Sequence, residues 1–517
     1  MLGPANYLEE KAWISDRVPG TCQWVLNHPH FQSWHHNGTH DAGSPGFLWV
    51  SGDPGCGKSV LAKSLIDNEL KLTEGNTTCY FFFKDDDVDR RSVLNAIKAL
   101  LHQLVAQHPS LLKYGVRALD YNGEELMKIF TILWEVLLQA AAECTGGKVV
   151  CVLDALDECE ELGRARLIQA LQSLYLRDEN KLEPPIKFLI TSRPYLDIER
   201  GFRLVADQVS VSRLSGEDDL GSIQREIDLV IALRVQQLTW LSKPIQCSLQ
   251  RALSSFSNRT YLWVTLIFDV IMTSLRITEK SLPTLLATLP NTVEQAYESI
   301  LNKSRDIPRA RRLLNIIIAA QRPLTLAEMN IALNIEEHYC SISDLDLQTT
   351  EKELKSEIRN LCGLFIVVVD SRIHLIHLTA KEFLVATAEF TSSRPLVNYH
   401  NSKQVSNKDD KDESSTAWGA TFSLQKSNLI LAEICLWYMN LLSNADELHQ
   451  LRGILPGEFI GLREYAMRFW DVHYRMGSVQ EGSRLAELSW SVFQRNMGPT
   501  RLHLAEPHTH RYSRLLS

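Results

Sequence analysis

The sequence predicts an α/β domain, a parallel sheet covered by helices on both faces, followed by α-helical and winged-helix modules. Three observations predict it. Between residues 46 and 212 five short apolar runs alternate with longer stretches of helical spacing, the pattern of strands joined by crossover helices. Strand signals then stop until about residue 364. There, two β-rich runs, LFIVVV and RIHLIHL, meet at an Asp370-Ser371 turn.

Each element follows in order. Residues 1–45 form a lead segment. Phe47–Ser51 reads as the first strand, running into a Gly/Pro-rich turn and then helical spacing from Ser59 to Leu70. Cys79–Phe83 is the second strand, followed by Asp85, Asp86, Asp87 and Asp89 and an amphipathic stretch from Ser92 to Gln107. The third, Lys148–Leu153, ends on carboxylates; the fourth is Ile186–Thr191, and the fifth is about Gln208–Val211. Residues 213–302 read as a helical domain punctuated by Pro244, Pro283 and Pro290. Within 303–390, helix RARRLLNIIIAA, the Pro323 turn, helix TLAEMNIALNI and a helix around Glu353–Asn360 precede the hairpin, and three helices closed by a hairpin outline a winged helix. Residues 391–425 are polar and dense in charge, as expected of a mobile linker or insertion. From 426 to 517 helical spacing returns, with Trp437, Trp470 and Trp490.

Composition narrows the function classes. The 517 residues carry 54 Lys plus Arg against 62 Asp plus Glu, a formal charge of −8, and are 45% hydrophobic. That excludes a wholly disordered or fibrous protein and does not suit a basic nucleic-acid binder. The longest nearly apolar stretch, Tyr261–Leu275, is too short for a bilayer and contains Asp269, so no membrane span is expected. The N-terminal residues lack the uninterrupted apolar core of a signal peptide, and the cytoplasm is the expected location. Ten scattered cysteines without a CxxC pair are expected to be reduced thiols. His28, His30, His35, His36 and His40 form either a metal site or a polar surface segment. The second is favoured, because no helical i, i+4 pair stands beside a carboxylate in the usual ligand spacing.

Gly52-Asp53-Pro54-Gly55-Cys56-Gly57-Lys58-Ser59 fits GxxxxGK[ST] between a strand and a helix, the setting a phosphate-binding P-loop needs. Glycines allow the backbone to wrap a phosphate closely. Lys58 is expected to bridge the β- and γ-phosphates and Ser59 to coordinate Mg²⁺; Val60 completes the candidate binding residues. Asp154 ends the run Val149–Leu153, where a carboxylate can hold Mg²⁺ through its water shell. Asp157 or Glu158, a few residues on, can orient or deprotonate an attacking water. KFLITSR, residues 187–193, puts Arg193 at the carboxyl end of a buried strand, within reach of a γ-phosphate or simply breaking the strand before Pro194.

With GDPGCGKS, VVCVLDALDE and FLITSRP in order, the chain resembles the NACHT family of STAND signalling NTPases, in the form found in fungal NOD-like receptors and nephrocystin-like proteins. Asp154-Ala155-Leu156-Asp157-Glu158 matches that family's extended acidic motif. The residues at 14–34, Tyr261–Val264, 289–301, RPLTLAEMNIAL, IHLIHLTAKEFL and 463–475 look like the family's lead segment, helical domain, winged helix and following helical segment. The resemblance implies a sheet order 2-3-4-1-5, ATP or ADP with Mg²⁺ as cofactors, and self-association of the ATP form. It also implies a histidine near the end of the winged helix on the β-phosphate of ADP. His377 occupies that place, with Leu378 where many relatives have Asp. His374 lies on the opposite face of the strand pattern, so only one of the two can face nucleotide. Arg259 stands where relatives often have Gly.

The expected function is an ATP/ADP-operated oligomerisation switch with slow ATP hydrolysis and protein partners that the sequence does not reveal. Two other readings stand beside it. One is a scaffold that retains nucleotide without hydrolysing it. The other is a DNA-handling ATPase, disfavoured because residues 301–390 carry 11 basic against 12 acidic residues, net −1, where a DNA-reading module is basic. No nucleic-acid partner is expected.

Overall fold

The computed structural model describes residues 7–36, 46–70, 76–144, 148–175, 186–206, 211–215, 220–257, 259–272, 277–339, 344–348, 350–385, 417–443 and 461–496. They form two units, divided between Tyr297 and Glu298. In the first, the lead helices α1 (Tyr7–Trp13), α2 (Gln23–Leu26) and α3 (Pro29–His36) precede strand β1 (Phe47–Ser51) and helix α4 (Lys58–Ser64). There follow β2 (Thr77–Phe82), α5 (Val93–Gln107), α6 (Leu112–Asn122), α7 (Phe130–Ala142), β3 (Val149–Asp154), α8 (Glu161–Tyr175), β4 (Ile186–Ser192), α9 (Leu196–Ala206) and β5 (Val211–Ser215). Helices α10 (Leu220–Gln237), α11 (Lys243–Ser254), α12 (Tyr261–Met272), α13 (Leu282–Thr288) and α14 (Val293–Leu301) come next.

All five strands join one sheet in the order β2-β3-β4-β1-β5, the order the resemblance implied, and every pair is parallel. Successive strand residues point to opposite faces, so the unbroken burial of β1, β3 and β4 means that both faces are covered. Trp134 of α7 stacks on Phe188 of β4 with ring centroids 5.6 Å apart, and Phe202 of α9 packs on Phe47 and Trp49 of β1 at 4.9 and 5.2 Å. These contacts explain why α7 and α9 bury one apolar stripe each.

Two strand boundaries differ from expectation. Strand β2 begins at Thr77, two residues before the expected Cys79. Strand β5 is Val211–Ser215, starting at the last residue of the expected Gln208–Val211 run; residues 207–210 lie outside the described part. The strand thus runs past residue 212 to Ser215. The sequence VSRLS is half polar, and as the edge strand it pairs with β1 alone, so no continuous apolar run marked it. The lead segment belongs to this unit: Tyr7 meets Tyr80 edge-on at 5.7 Å, and Lys187 Nζ donates to the Trp34 carbonyl at 2.6 Å. His28 and His30 contact each other, and His35 stacks on Phe31. Among the described residues no His, Cys, Asp and Glu cluster could hold a metal ion; His40 lies outside them.

In the second unit α15 (Ile307–Ala319), α16 (Leu326–Asn334) and α17 (Glu351–Cys362) precede the antiparallel hairpin of β6 (Ile366–Val369) and β7 (Arg372–Leu375), then α18 (Leu378–Leu384). Thr325 with Glu328 and Thr350 with Glu353 form capping boxes that start α16 and α17. Asp370 and Ser371 both take positive φ, 45° and 59°, the geometry of a two-residue hairpin turn. The wing is pinned to the first helices: Leu326 N–H donates to the Ser371 carbonyl at 2.7 Å and Ile373 N–H to the Leu324 carbonyl at 2.9 Å. This is the winged helix read from the sequence. Of the segment read as a linker, residues 391–416 lie outside the described part, whereas 417–425 pack into the unit. Trp418 is fully buried, with its indole N–H on Asn302 Oδ1 at 2.9 Å, and Phe422 bridges to Val385. The aromatic pair at the end of an otherwise polar run accounts for the difference.

Helices α19 (Leu424–Ser443), α20 (Gly461–Met476) and α21 (Arg484–Asn496) complete this unit. Buried His473 of α20 contacts Asn428 Oδ1 through Nδ1 at 2.8 Å and Tyr465 Oη through Nε2 at 2.9 Å. Because an amide oxygen only accepts, Nδ1 carries the proton; Nε2 accepts from Tyr465, whose oxygen accepts Gln321 N–H at 3.0 Å. Burial holds the imidazole neutral down to about 3. No helix among the described residues is long and apolar enough to cross a membrane.

Candidate functional site

The phosphate loop leaves β1 at its carboxyl end. Gly55 and Gly57 take φ of 73° and 88°, where a Cβ is strained. Space is short as well. A Cβ on Gly55 would lie 2.7 Å from Leu262 Cβ, and one on Gly57 3.1 Å from the Tyr261 ring. The first residues of α12 therefore back the loop, and Leu262 N–H donates to the Gly55 carbonyl at 3.4 Å. Tyr261 is itself held. Its hydroxyl donates to Glu226 Oε2 at 3.1 Å, which also accepts Cys22 N–H at 2.6 Å, while Glu226 Oε1 accepts Trp24 N–H at 3.1 Å. One buried carboxylate thus ties the lead segment and α10 to the residue lying on Gly57.

Lys58 opens α4 and turns its ammonium back into the loop, donating to the carbonyls of Gly52 at 2.6 Å and Asp53 at 2.9 Å. Cys56 Sγ is 3.7 Å from the same nitrogen. Gly52 N–H donates to the Ser192 carbonyl at 3.2 Å, which carries the β1–β4 pairing into the loop's first residue. Pro54 and Val60 lie within this loop and the first turn of α4.

Strand β4 separates β1 from β3, and its last residues join the two motifs. Thr191 Oγ1 donates to Asp154 Oδ1 at 2.6 Å and accepts Ala155 N–H at 2.9 Å. The Ser59 hydroxyl is near enough to Asp154 to help hold its carboxyl down. The P-loop serine and the β3 carboxylate, 95 positions apart in sequence, therefore lie at the same end of the sheet. Burial pushes the Asp154 carboxyl up, and the Ser59 and Thr191 hydroxyls and the Lys58 charge pull it back.

Beyond Asp154 the chain turns sharply at Ala155, whose φ and ψ of 56° and 49° are left-handed, a conformation costing a non-glycine residue about 1 kcal/mol. The turn buries Leu156 and sets Asp157 and Glu158 on a single 3₁₀ turn. Asp157, 2% exposed, accepts Arg193 N–H on Oδ1 at 3.0 Å and pairs with Arg193 Nε through Oδ2 at 3.2 Å. Arg193 Nη1 reaches the Tyr195 hydroxyl at 3.1 Å. Glu158 as a residue is half-buried and accepts Asp85 N–H on Oε2 at 3.0 Å. Burial raises its carboxyl to about 7, against which Lys84 pulls and with which Asp157 pushes. Arg164 of α8 buttresses the turn: Nη1 donates to the carbonyls of Asp157 and Cys159 and Nη2 to Asp197 at 2.7 Å.

The structure thus brings Lys58, Ser59, Asp154, Asp157, Glu158 and Arg193 to one end of the sheet. His377 belongs to the second unit, where its Nδ1 caps α18 by accepting Thr379 N–H at 3.2 Å. Sequence reasoning gave no role to Arg164, Thr191, Glu226 or Lys84. Thr191 at the end of a buried strand was the one with a readable signal. Arg259, which had no account from sequence, pairs with Asp228 of α10 and gives its carbonyl to Gln224 at 2.8 Å.

Fold and site define the class: a P-loop NTPase core followed by helices and a winged helix. Residues 20–193 match the family model described as Nephrocystin 3, N-terminal, and residues 297–393 match GPI inositol-deacylase, winged helix domain. The vegetative incompatibility protein HET-E-1 of Podospora anserina is 27% identical over 379 residues, 72% of this chain and 26% of its own length. These matches bear out the chain's resemblance to NACHT-containing, nephrocystin-like proteins, and it spans about a quarter of the length of that curated relative. Among solved structures, the ORC2 protein of Aeropyrum pernix in its ADPNP–ADP complexes shares 12% identity over 68% of this chain and 87% of its own, at a TM-score of 0.31. The Walker-type ATPase of Pyrococcus abyssi shares 10% over 65% and 90%, at 0.30. Likenesses that distant carry no argument; strand order and the two domain matches carry the resemblance.

Proposed function

We propose that the chain is a nucleotide-operated signalling switch of the NOD-like-receptor type, acting in the cytoplasm on protein partners. ATP and ADP are bound by residues 52–60, the two nucleotides favour different arrangements, and the ATP form self-associates. The glycine loop that folds the Lys58 ammonium back on itself, with Ser59 and the buried Asp154 carboxylate at the same end of the sheet, is the observation that carries the reading. A hydroxyl and a carboxylate are the hard oxygen donors that Mg²⁺ accepts, with waters and phosphates completing its shell. Bound there, the ion would offset the phosphate charge.

The two acids beyond Asp154 divide the remaining work. Asp157 has both oxygens on Arg193 and sets that guanidinium, which reads the γ-phosphate. Glu158, half-accessible and titrating near neutrality, orients and deprotonates the attacking water. Turnover is slow and resets the switch. His377 is proposed to contact the β-phosphate of ADP, and its cap to Thr379 means that such a contact would be made by Nε2. To move from 1% to 99% assembled, ATP must favour the assembled form by about 5.5 kcal/mol.

The test is the mass distribution of purified protein with ADP and with ATP, together with identification of the nucleotide released on denaturation. Co-purified ADP and a larger species with ATP are the expected results. Absence of nucleotide together with one unchanging mass overturns the reading. Altered mass in His377→Ala with ADP supports its role, and an unaltered one removes it.

A further inference from the structure

The β2–α5 loop, residues 84–91, lies against the acidic turn at both of its ends. Phe83 N–H donates to the Asp154 carbonyl at 3.0 Å, so β2 delivers the chain to the level of the acids before the loop starts. Asp85 N–H donates to Glu158 Oε2 at 3.0 Å, and the Arg91 carbonyl accepts Glu160 N–H at 2.9 Å. Between these points the loop is one closed piece. The Asp87 carbonyl accepts Arg90 N–H and Arg91 N–H at 3.1 and 2.9 Å, and Asp87 Oδ1 accepts Asp89 N–H at 2.9 Å.

Its outer side is fastened to the N-terminal helix. Arg90 Nε pairs with Glu10 Oε1 at 3.0 Å, with side chains 13% and 4% exposed, and the guanidinium lies over the Trp13 ring at 5.5 Å. Glu10 and Trp13 stand three positions apart on α1 and so share a face. Helix α1 has its own anchors on the core, Lys11 to Asp67 at 2.6 Å and Tyr7 Oη to His102 at 3.0 Å. A continuous path therefore runs from α1 through Arg90 and a closed loop to the Asp85 amide and the Glu158 carboxyl.

We propose that Arg90 is a positioning residue for Glu158: by clamping the β2–α5 loop to α1 it holds the Asp85 N–H on the glutamate and so keeps that carboxylate aimed and ionised for hydrolysis. The proposal deepens the hydrolytic reading above and rests on it. An N–H aimed at a carboxylate favours the anion, as does a nearby cation. The charged groups facing Glu158 are Lys84 on the β2–α5 loop, Asp157 on its own turn and Arg193 just after β4; those facing Glu10 are Arg90, Asp86, Asp87 and Glu9. Loosening the loop removes a donor to the anion, so Glu158 takes up its proton at higher pH and turnover at neutrality falls. Whatever displaces α1 therefore reaches the hydrolytic step without touching nucleotide.

The test is ATP turnover against pH and ATP affinity by calorimetry in wild type, Arg90→Met, Glu158→Gln and the double variant. Arg90→Met is expected to leave affinity within about twofold, lower kcat about tenfold and move the acid limb of the kcat profile to higher pH. In the Glu158→Gln background the same change should alter kcat by less than about twofold, because the two act as one unit. Arg90→Lys, which keeps the pairing with Glu10, should restore the wild-type limb. An equal loss in both backgrounds, or an acid limb that does not move, overturns the proposal. If wild type binds ATP and does not turn it over, the hydrolytic reading fails separately, and hydrogen exchange judges the clamp. Arg90→Met must then speed exchange in peptides covering 84–91 and 156–160, and unchanged exchange overturns it. If Arg90→Met does not fold, Arg90→Lys and Trp13→Leu are read in the same assays: a limb shifted by Trp13→Leu and not by Arg90→Lys supports the clamp, and no shift in either overturns it.

Discussion

Around His473 both ring nitrogens are used, Tyr465 both donates and accepts, and Asn428 completes the chain. At the carboxyl end of β3, burial instead pushes the carboxyls of Asp154 and Glu158 upward, with hydroxyls, one amide and nearby cations only partly compensating. Both regions bury polar groups. One closes its hydrogen bonds on itself and fixes three segments of chain; the other leaves acids whose ionisation depends on what is brought to them. The difference teaches where this protein keeps its stability and where it keeps its reactivity.

That contrast can be broken experimentally. Lys58→Ala should weaken ATP and ADP binding at least about 100-fold, because it removes the cation between phosphates, and should leave the thermal stability of the ligand-free protein nearly unchanged; calorimetry and a thermal melt decide. Glu158→Gln should bind ATP normally and lose about 100-fold in turnover. Asp157→Asn should lose turnover by misplacing Arg193, and wild-type rates in both variants would remove the division of roles.

In the second unit the sign reverses. His473→Ala should cost about 2–4 kcal/mol of stability, through a cavity and two orphaned partners, and leave nucleotide affinity unaltered. Its pH signature is definite. The folded imidazole stays neutral down to about 3, whereas an unfolded one protonates near 6.5, so the unfolded state binds the extra proton between these values. Stability is whole above about 6.5 and falls by about 1.4 kcal/mol per pH unit below it. Urea titrations at several pH values should show this slope in wild type and not in His473→Ala. The smallest expected effect is Thr350→Ala, about 1 kcal/mol from loss of the α17 capping box.

Much of this was legible because it is local. The P-loop, the strand ending at Asp154, the capping residues and the Asp370-Ser371 turn are written within a few consecutive residues. The strand order was not readable from the residues and came from family resemblance, since pairing such as Thr77 with Val149 joins distant segments. The partners of the site were hidden for the same reason. Arg164 reaches Asp157 and Asp197 together, Glu226 meets Cys22 from 204 positions away, and the Asp85 amide finds Glu158 across 73. The acidic run after β2 was visible, yet the site uses a backbone N–H of that run and not its charges. Strand β5 was misplaced because an edge strand need not be apolar.

Leu262 and Tyr261 stand against Gly55 and Gly57, so the nucleotide cradle is assembled from two stretches of chain about 200 residues apart. An excised fragment ending at residue 193, where the family match stops, would possess every signature letter and lack the wall behind its glycines. A fragment that keeps this wall has to run past Leu262.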